Sequence, residues 1–232
     1  MVYPRINTGD WIFRETFDSV SSVVENGGAL TAITFPQRKK ATFNGTSSFI
    51  RYPTSDVLRF TPNQITISCW ITTSDTVGDV VANFETASPF VGFSYSVKGG
   101  GATDGKMALY VNDGDDSVAW VQDTGSAIND GARHHVAVTF DGSNARFYTD
   151  GVLSSTVARS AGMGISNNNL EIGRDTNTVP ARYLSATLED LRIYNLKLTD
   201  EEIELLEGIV EGANELNSLN HRLNIVNQFY LF

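Results

Sequence analysis

HHVAVTFDGSNARFYTDG, residues 134–151, contains two short runs of strand-like sequence, each followed by an Asp-Gly pair. The bulky apolar residues of the first run fall two positions apart and so share one face of a strand; they are Val136, Val138 and Phe140. Glycine adopts positive φ angles without strain and aspartate tolerates them, so Asp141-Gly142 and Asp150-Gly151 are typical of hairpin turns. The stretch therefore predicts antiparallel strands joined by tight turns.

Two further segments carry the same kind of pattern. Residues 65–71 are ITISCWI, and residues 188–195 are LEDLRIYN, followed at 198–203 by LTDEEI. Together with the hairpin, and in the same chain order, they resemble strands of the laminin G-like and concanavalin A-like jelly-roll domains. The resemblance covers residues 11–206, most of the chain. Arg133 departs from the family pattern, which often has tryptophan before the histidine pair.

The resemblance implies an all-β fold: a two-sheet antiparallel jelly-roll sandwich with a short helix and a C-terminal extension. Turn signals recur along the chain at the short spacing that many antiparallel strands require. We assign residues 1–207 to the jelly-roll domain and residues 208–232 to an extension for oligomerisation or docking. This fold does not name a function by itself, because it occurs in lectins, glucanases, adhesion modules and virion proteins.

Residues 199–202, Thr-Asp-Glu-Glu, have the sequence of a helix capping box. The Thr199 side chain can accept a hydrogen bond from the amide three residues on, and Glu202 can bond back to the amide of Thr199. We therefore predict a short helix that begins here, which in the family is the last element of the domain.

After this helix, residues recur at a heptad-like spacing. Ile209, Leu216, Leu223 and Tyr230 lie seven positions apart. Such a seam predicts a homo-oligomer joined by a coiled coil, or docking to a partner. The alternative is one amphipathic segment packed on its own sandwich. The last residues, 225–232, are too apolar for a free tail, and we expect them to be buried, for example as a strand added to a neighbour.

Charge and composition exclude several classes of function. The net charge of −10 and the isoelectric point near 4.7 argue against nucleic-acid binding, which needs a basic face. No apolar run approaches the length that spans a bilayer. The first residues lack a signal-peptide layout and Cys69 is the only cysteine, so no intrachain disulfide can form. These features favour cytoplasmic synthesis, and we expect Cys69 to be a buried apolar residue.

The family resemblance also implies a place for a structural calcium ion, which in many of these jelly rolls joins the first strand to the last. The corresponding positions here are Asp190, with Asp18 or Glu15, and the carbonyl oxygen of Gly45. Calcium prefers oxygen ligands of this kind. The alternative is that Asp190 is a hydrogen-bonded strand residue without a metal. Residues 112–116 lack the remaining spacing of an EF-hand, so we interpret them as a solvated turn.

The sequence offers no catalytic candidate. Glucanases of this fold carry a Glu-x-Asp-x-(x)-Glu pattern on one strand, with one or two residues before the last Glu, that directs alternate carboxylates into a cleft. No predicted strand of this chain has that pattern. His134 and His135 are adjacent, so they face opposite sides of their strand, and we interpret both as structural. We therefore predict that the protein is not an enzyme.

Ligand binding has better candidates. Sugar sites in this fold use exposed aromatic rings together with loop carboxylates. Tyr110 and Trp120 lie on predicted strands that flank an acidic loop containing Asp113 and Asp115. These four are the candidate ligand-binding residues. The alternative for both rings is burial, since aromatic residues in sandwiches are more often part of the core.

Two functions are compatible with these observations. The first is a non-enzymatic structural protein of a virion surface, such as a phage capsid-decorating or tail-associated protein, made in the host cytoplasm and displaying a lectin-like jelly roll. Its partners would be further copies of itself, other virion proteins and a cell-surface glycan. The alternative is a carbohydrate-binding or adhesion module of a bacterial surface protein, located outside the cell. The one cofactor that the resemblance implies is structural calcium.

Overall fold

The structure is a computed structural model of the 232-residue chain. It describes residues 13–15, 17, 28–37, 39–54, 63–85, 88, 90–97, 104–114, 120–160, 162–164, 166–175 and 182–208. Within these ranges the chain forms two large antiparallel sheets, a two-stranded ribbon and a helix. Strands are numbered along the chain.

Sheet A contains the two strands predicted for residues 134–151. Its strands are β1 (Phe13–Glu15), β3 (Thr34–Gln37), β4 (Lys40–Asn44), β6 (Ile65–Thr72), β11 (Arg133–Phe140), β12 (Asn144–Thr149), β13 (Val152–Ala158) and β17 (Ser185–Tyr194). They lie side by side in the order β13-β12-β11-β6-β17-β4-β3, and β1 also pairs with β17. Neighbours in the sheet are mostly distant in the chain, as the predicted jelly roll requires.

Sheet B packs against sheet A. Its strands are β2 (Ala29–Thr31), β5 (Phe49–Tyr52), β7 (Gly78–Phe84), β8 (Val91–Val97), β9 (Met107–Asp113), β10 (Trp120–Gln122) and β14 (Leu170–Ile172). Their order is β10-β9-β8-β7-β14-β5-β2. A short ribbon, β15 (Arg174–Asp175) with β16 (Arg182–Tyr183), follows β14 and packs against β7. The predicted all-β, two-sheet sandwich is confirmed.

Both predicted hairpin turns are present. In the first, the Asp141 carboxylate accepts hydrogen bonds from the amides of Ser143 (3.0 Å) and Asn144 (2.8 Å). In the second, Asp150 and Gly151 have φ angles of 51° and 75°. Positive φ at both central residues is the requirement of a type I′ turn, whose twist matches that of the strands it joins. The Asp-Gly pairs therefore specify the β11-β12-β13 meander locally.

The core lies between the two sheets, where alternate residues of each strand meet. Strand β6 contributes Ile65, Ile67, Cys69 and Ile71, and the facing strand β8 contributes Phe93, Tyr95 and Val97. Cys69 is completely buried, as expected, and burial raises the pKa of its thiol. The intervening residues of both strands point away from the core, so each sheet has an outer face.

The predicted helix is α1 (Asp200–Gly208). The amide of Thr199 donates to the Glu202 carboxylate at 2.8 Å, and the amide of Glu202 donates to the Thr199 hydroxyl at 3.3 Å. The capping box is therefore formed. Ile203 and Leu206 pack on the outer face of sheet A against Tyr148. In the described part of the chain, no helix is both long enough and apolar enough to cross a bilayer.

Candidate functional site

The outer face of sheet B consists of the side chains that point away from the core, and one row crosses it on directly paired positions. The row contains Trp120 (β10), Tyr110 (β9), Ser94 (β8), Ala82 (β7), Glu171 (β14) and Arg51 (β5). The residues that alternate with them, such as Phe93 and Leu109, belong to the core. The row has large rings at one end, small residues in the middle and an ion pair at the other end.

Trp120 and Tyr110 form the aromatic end of this face. Their ring centroids are 5.3 Å apart, and the ring of Phe84 lies 5.2 Å from that of Tyr110. Tyr110 is only 2% exposed, whereas Trp120 is half-buried. The structure thus brings the two predicted rings together, but only Trp120 is open to a ligand. Tyr110 packs against Trp120 and holds it in place.

Three carboxylates are buried on or beside this face: Asp79, Glu171 and Asp175. Asp79 is 0% exposed, and its carboxylate accepts hydrogen bonds from the Ser94 hydroxyl at 2.6 Å and from Arg182 at 2.9 and 3.2 Å. Burial raises the pKa of the Asp79 carboxyl to about 6, because lost hydration outweighs these favourable contacts. Buried carboxylates are costly unless they are paired, and each of these has an arginine.

The arginines form a second layer above the carboxylates. Arg182 also bonds Asp175 at 3.3 Å, and its guanidinium carbon lies 4.8 Å from the centre of the Trp120 ring. Arg174 donates to Glu171 at 2.9 Å and lies 3.3 Å from the centre of the Phe49 ring. Each guanidinium is therefore fixed by a carboxylate on one side and by a ring on the other, which combines ion pairing with cation–π attraction.

Gly173 forms the bend between β14 and β15 that places the ribbon beside the outer face of sheet B. It has a φ of 83°, and a side chain there would overlap the ring of Phe43. Its amide donates to the Val80 carbonyl at 3.0 Å, and its carbonyl accepts from the Leu184 amide at 2.9 Å. The bend between β14 and β15 is thereby tied to β7 and to the end of the ribbon, which places Arg174 beside Glu171.

The charged part of this site was not predicted from the sequence. It consists of Asp79, Glu171, Arg174, Asp175 and Arg182. One signal was present, since residues 171–175, Glu-Ile-Gly-Arg-Asp, put opposite charges on both sides of a glycine within a strand-like segment. Charged residues are rarely buried unless paired, so such a pattern next to apolar strands indicates an ion-pair cluster.

Asp113 is not part of the aromatic cluster, contrary to expectation. It is the last residue of β9, pairs with Val91 and is exposed. Three positions separate it from Tyr110, and successive strand residues point to opposite faces, so the two side chains lie on opposite sides of the sheet. The acidic loop therefore does not supply the ring pair with a carboxylate through Asp113.

Several predicted residues lie outside the described ranges, and the hypotheses on them stay predictions. They are Asp18 of the calcium set, Asp115 of the ligand set and the oligomerisation set Ile209, Leu216, Leu223 and Tyr230.

The other calcium candidates have different partners. The Asp190 carboxylate is held by the guanidinium groups of Arg14 (2.7 and 3.2 Å) and Arg192. The buried carboxylate of Glu15 accepts from the amide of Phe17 at 2.9 Å and from the hydroxyl of Tyr52. Among the described residues, no cluster of His, Cys, Asp or Glu is suited to a metal ion.

This arrangement does not fit a calcium ion, because two guanidinium groups occupy both oxygens of Asp190. Gly45 has a φ of 74°, and its amide donates to the Leu184 carbonyl at 2.9 Å, so it serves as a turn residue. The geometry favours the alternative in which Asp190 is a hydrogen-bonded strand residue. It stands at a bulge in β17 with a φ of 46°, which is unusual for a residue other than glycine.

The two histidines, His134 and His135, contact neighbouring side chains of the fold. The two ring nitrogens of His134 contact Asp150 (2.9 Å) and Asp130 (3.2 Å). Although partial burial lowers the pKa of His134, the two carboxylates outweigh it and raise the pKa overall. Burial lowers the pKa of His135 to about 4, so that ring is neutral at pH 7 and packs beside Trp70, with centroids 5.3 Å apart. These contacts suit structural roles.

Arg133, which stands where the family often has tryptophan, packs on Trp70 together with His135. Its guanidinium carbon lies 3.6 Å from the centre of the Trp70 ring, and it donates to both oxygens of Glu189 at 2.9 and 3.0 Å. Trp70 is on the outer face of sheet A, since it alternates with the core residues Cys69 and Ile71. The chain thus has one arginine-covered tryptophan on each outer face.

The chain belongs to the concanavalin A-like lectin/glucanases superfamily, whose family model matches residues 44–204, more than half of the sequence. The match confirms the family that the hairpin and the two strand segments indicated. Among curated proteins, no significant match to the sequence was found.

Solved structures with the same fold include binding domains of clostridial toxins. The Botulinum neurotoxin serotype G binding domain superposes with a TM-score of 0.62 at 14% identity, over 86% of this chain and 51% of that one. The binding domain of Paraclostridial Mosquitocidal Protein 1 gives 0.58 at 17% identity, over 78% and 45%. The serotype D ligand binding domain, solved in complex with N-acetylneuraminic acid, gives 0.58 at 11%, also over 78% and 45%. This chain spans about half the length of these structures, and identities this low show a shared fold.

Proposed function

We propose that this domain is a non-enzymatic carbohydrate-binding module that holds a glycan on the outer face of sheet B. The observation that carries the proposal is the partly exposed Trp120 ring with the Arg182 guanidinium over it, fixed on the buried Asp79. An apolar ring next to a fixed fork of donors offers a sugar contacts of both kinds, with its C–H groups and with its hydroxyls.

Preorganisation supports this proposal. An arginine loses rotamer freedom when it binds a ligand, and that loss weakens binding. Here Arg182 is already held by Asp79 and Asp175, and Arg174 is already held by Glu171. Little further ordering is therefore needed when a ligand accepts hydrogen bonds from the remaining N–H groups.

The pairing of the carboxylates favours binding over hydrolysis. A glycosidase needs two carboxyl groups that flank the scissile bond, one as the acid and one as the base or nucleophile. Both oxygens of Asp79 accept hydrogen bonds from Arg182, while the two oxygens of Glu171 are taken by Arg51 and Arg174. Carboxylates engaged in this way are poor nucleophiles, and Asp79, although the pKa of its carboxyl is raised to about 6, has no exposed surface that a substrate could reach.

The test is a glycan array followed by calorimetry on the glycans that bind. The array should contain neutral glycans and carboxylated ones, including sialylated glycans, since one structural neighbour was solved with N-acetylneuraminic acid. We expect Trp120→Ala to weaken binding by roughly tenfold or more, in the range of a central aromatic contact. The matched control is Trp70→Ala, which removes the arginine-covered ring of the other sheet. Equal losses in both variants would contradict the proposal.

The biological setting is a further proposal. A virion-surface module, decorating a capsid or a tail, and an adhesion module of a bacterial surface protein would both use the same glycan-binding face. The virion setting rests on the sequence analysis alone. Immunogold labelling with an antibody against the domain separates the two, because it marks particles in the first case and the cell surface in the second.

A further inference from the structure

Strand β13 is an edge strand whose one protective feature is a bulge at Ser154, where its pairing with β12 shifts by one residue. It ends sheet A in the described part of the chain, and its seven residues, VLSSTVA, include neither a charged residue nor a proline. The other edge strands of the two sheets differ: β10 and β2 have three residues each, and β3 contains a proline. Natural sheets avoid long uncharged edges because the unpaired backbone groups pair with other strands.

The side chains of β13 are also exposed where apolar residues are usually buried. Val152 is 69% exposed and Leu153 is 39% exposed, and these are the exposed large apolar side chains among the described residues. The strand is nevertheless held firmly, since the hydroxyls of Ser154 and Ser155 donate to the buried Asp123 at 2.6–2.9 Å. Together these features describe a rigid, preformed edge suited to receive another strand.

The C-terminal end of the chain contains a segment whose composition suits a strand that pairs with β13. Residues 223–232, LNIVNQFYLF, are uncharged and rich in residues that favour strands. Helix α1 ends near this edge, because its last turn lies against the Asp150-Gly151 turn that precedes β13. A side-chain carbon added at Gly151 would lie 3.3 Å from the Cβ of Glu207 and 3.5 Å from the Cα of Glu204.

We propose that residues 223–232 add to β13 of the same chain as a further strand of sheet A. The intervening residues 209–222 can span about 46 Å when extended, and β13 is about 23 Å long, so the segment reaches the edge in either direction. A short tether gives an effective concentration on the order of millimolar, which favours the own chain over a second copy at micromolar protein. The sequence left two alternatives for the C-terminal extension, association with another chain and packing on its own sandwich. This proposal is a form of the second.

Hydrogen exchange on the full chain tests this pairing. In the native protein, amides of β13 should exchange at least about tenfold more slowly than in the double variant Val226→Pro/Gln228→Pro, whose tail cannot complete a ladder. The matched control is Ser218→Pro, which places a proline in the tether and should leave β13 protected. Equal exchange of β13 in the native chain and the double variant overturns the proposal.

A cysteine scan identifies the occupant of the edge. Thr156→Cys on exposed β13 is combined in turn with Val226→Cys, Asn227→Cys and Gln228→Cys, since the register is open, and the chains are oxidised. The native Cys69 is buried and does not compete. We expect an intrachain disulfide for at least one pair, and none when Thr34→Cys on the opposite edge replaces the β13 cysteine. Only interchain disulfides, which would assign the edge to a second copy, or no disulfide at all, overturn the proposal.

Discussion

Replacing Arg182 by methionine would remove the guanidinium that joins Asp79, Asp175 and the Trp120 ring. Methionine keeps much of the apolar stem but leaves two fully buried carboxylates without this partner. Breaking a buried ion pair from one side costs about 3–5 kcal/mol, because the remaining charge is uncompensated. For a domain of this size, that corresponds to a fall in Tm of roughly 6–20 °C.

The loss of unfolding free energy caused by Arg182→Met should depend on pH, and the ionisation of Asp79 determines whether it grows or shrinks as the pH rises. The folded-state pKa of this carboxyl is already about 6, against an ordinary value of 3.8. Removing Arg182 raises the folded-state pKa further, so the ionised form of Asp79 destabilises the folded state. The native protein carries the same penalty up to its own folded-state pKa of about 6, so the extra loss caused by the substitution begins above about pH 6 and grows until the higher folded-state pKa of the variant is reached. At pH 5, where Asp79 is protonated in both folded proteins, we therefore expect less than about half of the loss seen at pH 8.

Urea denaturation of the native protein and Arg182→Met at both pH values measures this difference. The control is Arg51→Met, which removes a more exposed arginine from Glu171 while Arg174 stays in place, and should cost under about 1 kcal/mol. Equal losses from Arg182→Met at pH 5 and pH 8, or a loss no larger than that of the control, would show that Arg182 does not stabilise a buried, ionised Asp79.

Three further outcomes are expected. Thr199→Ala should lower the unfolding free energy by about 1 kcal/mol in urea titrations, and Thr199→Ser should restore most of it, since only the capping hydroxyl matters. The folded-state pKa of His134 is raised, so its protonated ring stabilises the fold below its ordinary pKa of 6.5, and this effect disappears as the pH rises through the folded-state value. His134→Gln should therefore lower Tm more at pH 5.5 than at pH 8.5. A larger loss at pH 8.5 would contradict this role of His134. Asp190→Ala should lower Tm equally in calcium and in chelator, whereas a loss confined to calcium would restore the metal hypothesis.

Local sequence signals predicted the framework of this fold. The Asp-Gly pairs determine turns within four residues, and the capping box of Thr199 and Glu202 determines the start of α1, so neither depends on distant parts of the chain. The alternation along residues 134–140 likewise shows which face of β11 points into the core between the two sheets, namely that of Val136, Val138 and Phe140. The family resemblance supplied the two-sheet jelly-roll architecture, which no local signal contains.

The candidate site was only partly predictable, because it is assembled from distant strands. Tyr110 and Trp120 were found as neighbours, since ten residues and a turn separate them in a hairpin. Arg182 and Asp79 are more than a hundred residues apart, and their pairing depends on where a two-residue strand crosses β7. The misplacement of Asp113 had a simpler cause, because the odd spacing from Tyr110 already put the two on opposite faces of one strand.

The central claim, a glycan held at Trp120, is tested most directly by NMR of the tryptophan indole groups. The chain has three tryptophans, and Trp120 and Trp70 lie on opposite outer faces of the sandwich. A glycan selected on the array is titrated into the ¹⁵N-labelled protein, with the indole signals assigned by single substitutions. We expect a saturable shift of the Trp120 indole signal while that of Trp70 stays in place. A shift of the Trp70 signal with Trp120 unchanged would contradict it.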